Sequence, residues 1–237
     1  MRVRNKVLGE DVSIHWHGLR MKGHNAMDGA IGFTQCGIGG GKEFEYDFRI
    51  GDEEHGTFWW HSHSHVQRGD GMYGGLIVHK PGQQTAPEPQ YLLLVGDWFH
   101  RKQSDVLKWF ADAVSNGNEP VPDSMLINGQ GRYNCSLIDP EHKLACNSKA
   151  LSNMLPLFPH RENARLRFVN VGTVAGVSVA VDGARLKPAE VDGGNPLQAV
   201  PGDSVGVLYP GERLDAYMTW HDDNVKLPWF NMYLDDE

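Results

Sequence analysis

Gly56-Thr-Phe-Trp-Trp-His-Ser-His63 is the stretch on which the fold turns. Thr57, Phe58, Trp59 and Trp60 are residues that favour a pleated, half-buried surface. The run ends with His61 and His63 two positions apart, and in a strand such residues share one face. A second run, Val12-Ser-Ile-His-Trp-His17, repeats the device with His15 and His17. Each pair presents its imidazoles side by side, and as neighbouring strands the two runs would converge four histidines on one spot.

Outward from these runs the chain keeps the same texture. Its 28 glycines and 13 prolines punctuate short stretches rich in Val, Ile, Phe, Tyr and Trp, the pattern of strands and turns. Strands are expected at 2–6, 12–17, 43–50, 56–63 and 74–79, then at 91–98, 165–170, 176–181, 186–191, 204–208 and 215–220. Val106, Phe110 and Val114 recur at helical spacing, which predicts one helix over 105–114. The Pro- and Gln-rich segment 82–90 reads as a linker. The fold class is all-β, with two Greek-key β-sandwich domains over 1–81 and 91–237. The first has five expected strands against the roughly seven of such sandwiches, so it is expected to be incomplete, with its first strands missing.

The net charge of −8 argues against a nucleic-acid partner. No run reaches the roughly 20 apolar residues of a membrane helix, and no signal peptide follows Met1. Three cysteines, Cys36, Cys135 and Cys146, permit one disulfide in three pairings. Asn134-Cys135-Ser136 is a formal glycosylation sequon.

Ligand type narrows the metal. Neutral imidazole suits copper, zinc, iron and nickel, and copper(II) binds most tightly of these. Four histidines without thiolate or carboxylate point away from calcium and magnesium. Zinc held by four histidines stays open on chemistry alone. A single His-x-His is commonly structural; two such pairs favour a metal.

The words around the pairs carry a resemblance. Ile14-His-Trp-His-Gly18, Met27-Asp-Gly29, Thr34-Gln-Cys36, the 56–63 run and Gly69-Asp-Gly-Met-Tyr-Gly-Gly75 occur here in the order found in fungal multicopper oxidases of the laccase/ferroxidase group. Leu126-Ile-Asn-Gly129 and Val191-Asp-Gly193 resemble that family's middle, copper-free domain. The resemblance implies two cupredoxin-like domains, a secreted or cell-surface protein, and copper as cofactor. It makes His15 a ligand of the type 2 copper and His17, His61 and His63 ligands of the type 3 pair, where dioxygen is reduced to water. Asp28 matches a carboxylate beside the cluster that accepts hydrogen bonds and relays protons; a plain turn residue is the alternative. His65 is read as structural or as supporting the ligands, and Trp16, Trp59 and Trp60 as packing.

The same resemblance implies a third domain with four more cluster histidines and a type 1 copper cysteine. The sequence contains no His-Cys-His, so truncation is expected and the chain by itself is expected to be inactive. The implied substrate is a phenol; the alternatives are ferrous iron, with Glu119 and Asp123 as the substrate carboxylates, or a noncatalytic copper-binding module of two domains. By resemblance, Cys36 is expected to bridge to Cys135 or Cys146, with a local Cys135–Cys146 bond as the alternative.

Overall fold

A computed structural model describes residues 1–82, 88–138, 146, 161–226 and 228–235. The first unit carries β1 (Arg2–Arg4), β2 (Ile14–His17), β3 (Glu43–Glu45), β4 (Gly56–Ser62) and β5 (Tyr73–Val78). β4 lies between β2 and β5, antiparallel to both, while β1 and β3 form a separate ribbon. The register sets His15 opposite His61 and His17 opposite Trp59. Strand alternation then sorts the side chains. Ile14, Trp16 and Phe58 enter a core with Val12, Leu19, Ile38 and Tyr46. With those residues turned inward, His15, His17, Trp59 and His61 take the other face of the sheet. The Ile14 amide donates to the Tyr46 hydroxyl at 2.8 Å, which pins the histidine strand to the core.

The second unit is a sandwich. β6 (Gln90–Trp98), α1 (Gln103–Ala111), β7 (Ser124–Ile127), β8 (Ala164–Asn170), β9 (Val177–Val181), β10 (Ala184–Val191), β11 (Asn195–Pro196), β12 (Ser204–Leu208), β13 (Arg213–Trp220) and β14 (Phe230–Leu234) follow in order. One sheet runs β11-β10-β13-β8-β6-β7 and the other β12-β9-β14. Only β6 and β8 pair in parallel among the described strands. Leu93, Leu166, Phe168, Val177, Val179, Leu186, Leu208 and Met218 fill the space between the sheets. Each such side chain contributes about 1.5–3 kcal/mol of apolar burial.

The all-β class and the cupredoxin-like architecture hold. Several boundaries move. The strand expected over 43–50 stops at Glu45, and that over 56–63 stops at Ser62, so His63 lies just past β4. The helix starts two residues early and ends at Ala111; Asp112 then caps a short 3-10 turn over Ala113–Ser115 by accepting from the Val114 amide. Val106 is buried but Phe110 and Val114 are exposed, so the apolar spacing does not mark one buried stripe. β7, β11 and β14 were not expected. They form because β6, β10 and β9 offer them sheet edges, a property no local window contains. The linker segment lies largely outside the described residues.

The disulfide also corrects an expectation. Cys135 and Cys146 are bonded, with Cα atoms 5.8 Å apart. Cys36 is an exposed free thiol, so the bridge from the first unit is not made. A partner 11 positions away along the chain closes a short loop at low entropic cost, whereas Cys36 sits in a different unit.

Candidate metal centre

Cross-strand pairing builds the centre. The ring centroid of His15 lies 5.6 Å from that of His17, 5.2 Å from His61 and 5.4 Å from His63. Coordinating atoms of His15, His17 and His61 all fall within 4.8 Å of one another. His63 is more exposed than the other three and stands at the rim, its amide donating to the Ser13 carbonyl at 3.3 Å.

Hydrogen bonds fix the tautomer of two of the rings. His15 Nδ1–H donates to the Asp28 carbonyl at 2.8 Å, and His61 Nδ1–H donates to the Ser62 carbonyl at 2.9 Å. A carbonyl can only accept, so in both rings the lone pair sits on Nε2. His17 Nδ1 lies 3.4 Å from His61 Nε2. Two imidazoles that share one ion at about 2 Å in tetrahedral geometry would place their nitrogens roughly 3.3 Å apart. The donor set therefore fits a borderline metal such as copper.

Burial, with Arg213 adding to it, pushes the His17 pKa down to about 3. Burial likewise lowers His61 to about 4, against the raising effect of its bond to Ser62. Both rings are neutral at physiological pH and keep the lone pairs a metal needs.

Asp28 reaches the centre because of the residue after it. A Cβ on Gly29 would lie 2.0 Å from the Ile14 carbonyl oxygen, and its φ is +84°, so only glycine lets the 27–29 turn rest on β2. The turn puts the Asp28 carbonyl on His15, with the carboxylate Oδ1 3.3 Å from the same Nδ1.

The second unit supports the histidines from behind. Along β4, Thr57, Trp59 and His61 share one face. The Thr57 hydroxyl donates to Asp215 Oδ1 at 2.5 Å. Trp59 is fully buried against Val169 and Val171, and His17 stacks on it with centroids 4.8 Å apart. Gly193 and Gly194 of the Val-Asp-Gly segment lie where a side chain would strike Phe58 and the His55 backbone, so their smallness sets how closely β4 is approached. Asp97 organises a further contact. Its carboxylate accepts from the amides of Thr173, Val174 and Ala175, at 2.7–3.0 Å. Thr173 and Val174 then line a cavity shared with His61 and His63.

The structure thus brings His15, His17, His61, His63 and Asp28 together. Glu119 is exposed on the wall of the adjoining cavity. Asp123 is turned elsewhere, its Oδ2 accepting from the His100 amide at 2.7 Å. His65 has a positive φ of 48° and lines the adjoining cavity, beyond the end of β4. Trp16 and Trp59 are buried, as packing residues would be. Thr57, Arg68, Asp97 and Asp215 escaped the sequence reading, because single polar residues in separate segments carry no spacing signal.

Residues 1–83 and 89–232 each match a multicopper oxidase family description. Laccase-1 of Cryptococcus neoformans var. grubii is 34% identical over 224 residues, covering 90% of this chain and 34% of the relative. The laccase of Botrytis aclada superposes with a TM-score of 0.73 at 27% identity, over 93% of this chain and 39% of that one. Fet3p, a multicopper oxidase that functions in iron import, superposes at 0.77 over 99% of this chain and 40% of its own, and at 24% identity shows likeness of fold. The chain therefore spans about a third to two fifths of the length of these relatives. With both matches covering most of its residues, the chain belongs to the multicopper oxidase family.

Proposed function

We propose that this chain supplies half of the histidines of a copper centre that reduces dioxygen to water with electrons from a phenolic substrate. The observation that carries this is the convergence of His15, His17 and His61 within 4.8 Å, with the Nε2 lone pairs of His15 and His61 left free by their Nδ1–H bonds. Copper there would supply the one-electron redox steps and the binding of dioxygen. His15 would hold the type 2 ion and His17, His61 and His63 the type 3 pair. Asp28 holds His15 in its tautomer through its carbonyl, and its carboxylate, 3.3 Å from the same ring nitrogen, would pass protons to the centre. Ser62 does the same positioning work for His61.

Phenol is favoured over ferrous iron as substrate by the 34% identity to a laccase. The ferrous alternative would need Glu119 and Asp123 to act together, and Asp123 is engaged by His100. We take 82–90 as the junction between the two domains. No cysteine in the sequence adjoins a histidine, so the chain lacks a type 1 electron-entry site and will not turn over by itself.

The test is copper titration of the purified chain, followed by isothermal calorimetry and electron paramagnetic resonance. Nitrogen hyperfine structure and at least tenfold weaker binding in His61→Ala are expected. Copper uptake that is indifferent to His15→Ala and His61→Ala would defeat the proposal.

A further inference from the structure

Register fixes where the Cβ of His17 sits, but the imidazole still turns about two bonds, and something must choose which edge faces the other rings. Stacking on Trp59, with centroids 4.8 Å apart, occupies one face of the ring. The ring tip meets the second unit. A Cβ built on Gly211 would lie 3.1 Å from His17 Cε1 and 3.3 Å from its Nε2. Gly211 has a φ of +95°, so the backbone itself, with no side chain between, closes the space beyond the tip. The edge left facing His61 carries Nδ1, 3.4 Å from His61 Nε2.

A buried arginine ties this turn to the histidine strands. Arg213, at the start of β13, is 7% exposed. Its Nη1 donates to the Gly211 carbonyl at 3.0 Å and lies 3.1 Å from Asp192 Oδ1, and its Nε donates to the Thr57 carbonyl of β4 at 3.4 Å. From below, the Gly211 amide donates to the Asn170 carbonyl at 2.8 Å. The guanidinium also rests on the residue after His17, since a Cβ on Gly18 would lie 2.4 Å from Nη2. Phe58 of β4 lies under it, with its ring centroid 5.9 Å away. One planar fork thus touches the Gly211 turn, β4 and the end of β2. A guanidinium can do this because its donors point in several fixed directions, which an ammonium cannot match.

We infer that Arg213 is a positioning residue: it seats the Gly211 turn against the tip of His17 and so presents the Nδ1 edge of that ring, not the Nε2 tip, to His61. The consequence for copper rests on the reading of these histidines as metal ligands; the seating is a property of the metal-free chain. The rival account gives Arg213 only a charge. A cation beside a metal site repels the incoming ion, so on that account its removal tightens copper binding. Seating predicts the opposite sign.

The metal-free chain, labelled with carbon-13 and nitrogen-15, is studied by NMR, and copper(II) binding by calorimetry, for the unaltered sequence, Arg213→Met and Arg213→Lys. The unaltered chain should show a nuclear Overhauser contact between His17 Hε1 and Gly211 Hα. Both variants should lose it while circular dichroism is unchanged, and both should bind copper(II) at least tenfold more weakly. Arg213→Lys separates fork from charge, because a charge-only role leaves its affinity at the starting value. Should Arg213→Met fail to fold, Arg213→Lys decides alone. The assignment is overturned by a contact that is absent from the unaltered chain or persists in the variants, by tighter copper binding in Arg213→Met, or by unaltered affinity in Arg213→Lys. If the unaltered chain takes up no copper, the copper reading fails, and the His17–Gly211 contact still decides the seating.

Discussion

Asp215→Asn tests whether the second unit holds the histidine strand in place. Asp215 is 2% exposed, Arg165 6% and Arg167 4%. Its Oδ2 accepts from Arg165 Nε and Nη2 at 3.0 and 2.5 Å and from Arg167 Nη1 at 2.5 Å, while Oδ1 takes the Thr57 hydroxyl. Arg165 has a second acid in Glu190 at 2.6 Å, but the other hydrogen-bond partners of Arg167 among the described residues are neutral, Gln90 and Thr57. Asparagine keeps the shape, removes the charge, and turns an N–H₂ or a weaker acceptor toward two buried guanidinium groups. Breaking one partner of such a buried pair costs about 3–5 kcal/mol, a large share of a typical total of about 5–15 kcal/mol. At a urea slope of about 3 kcal/mol/M the midpoint should fall by roughly 1–1.7 M. Adding Arg167→Met to Asp215→Asn should cost less than the two single changes summed, because it removes the stranded charge. Thr57 precedes His61 on the same face of β4, so the folded fraction of Asp215→Asn should also take up copper more weakly. A midpoint shift below about 0.3 M, or strict additivity of the double variant, would refute the account.

Two further outcomes follow from the centre itself. The metal-free chain should lose stability in acid: His17 and His61 titrate near 3 and 4 when folded against 6.5 ordinarily. Below that ordinary value the unfolded chain takes protons the folded chain refuses. Stability should be full above pH 6.5, fall through the window down to about 4, and level off near 3. Urea midpoints at several pH values check this, and a His17→Gln/His61→Gln chain with an equally steep decline would show that these rings are not the cause. Gly29→Ala should cost about 1–3 kcal/mol, since its methyl meets the Ile14 carbonyl at a positive φ, and should weaken copper uptake by displacing Asp28 from His15. An unchanged calorimetric midpoint and unchanged uptake would contradict the contact.

Much of this protein was legible along the chain. Period-two alternation and β-branched and aromatic composition announced β2 and β4, and the His-x-His spacing guaranteed that each pair would share a face, because strand geometry is local. The motif order around His15, Asp28, His61 and Gly69–Gly75 pointed to the family for the same reason: those residues cluster in short windows. Tertiary structure decided the rest. Whether β2 would lie beside β4 in the register His15 opposite His61 depended on Ile14, Trp16 and Phe58 finding one core. The partner of Cys36 could not be read from its motif, because a disulfide needs two Cα atoms close in space, and Cys135 and Cys146 meet each other instead. Arg68, Gln103 and Glu119 become a cavity only when α1 packs beside the segment after β4. Likewise Thr57, Arg165, Arg167 and Asp215 become one buried network only when the two units meet. Charge pairing over such sequence distances leaves no periodic trace, since the energy that selects those residues comes from desolvation in the folded interior and not from any neighbour in the chain.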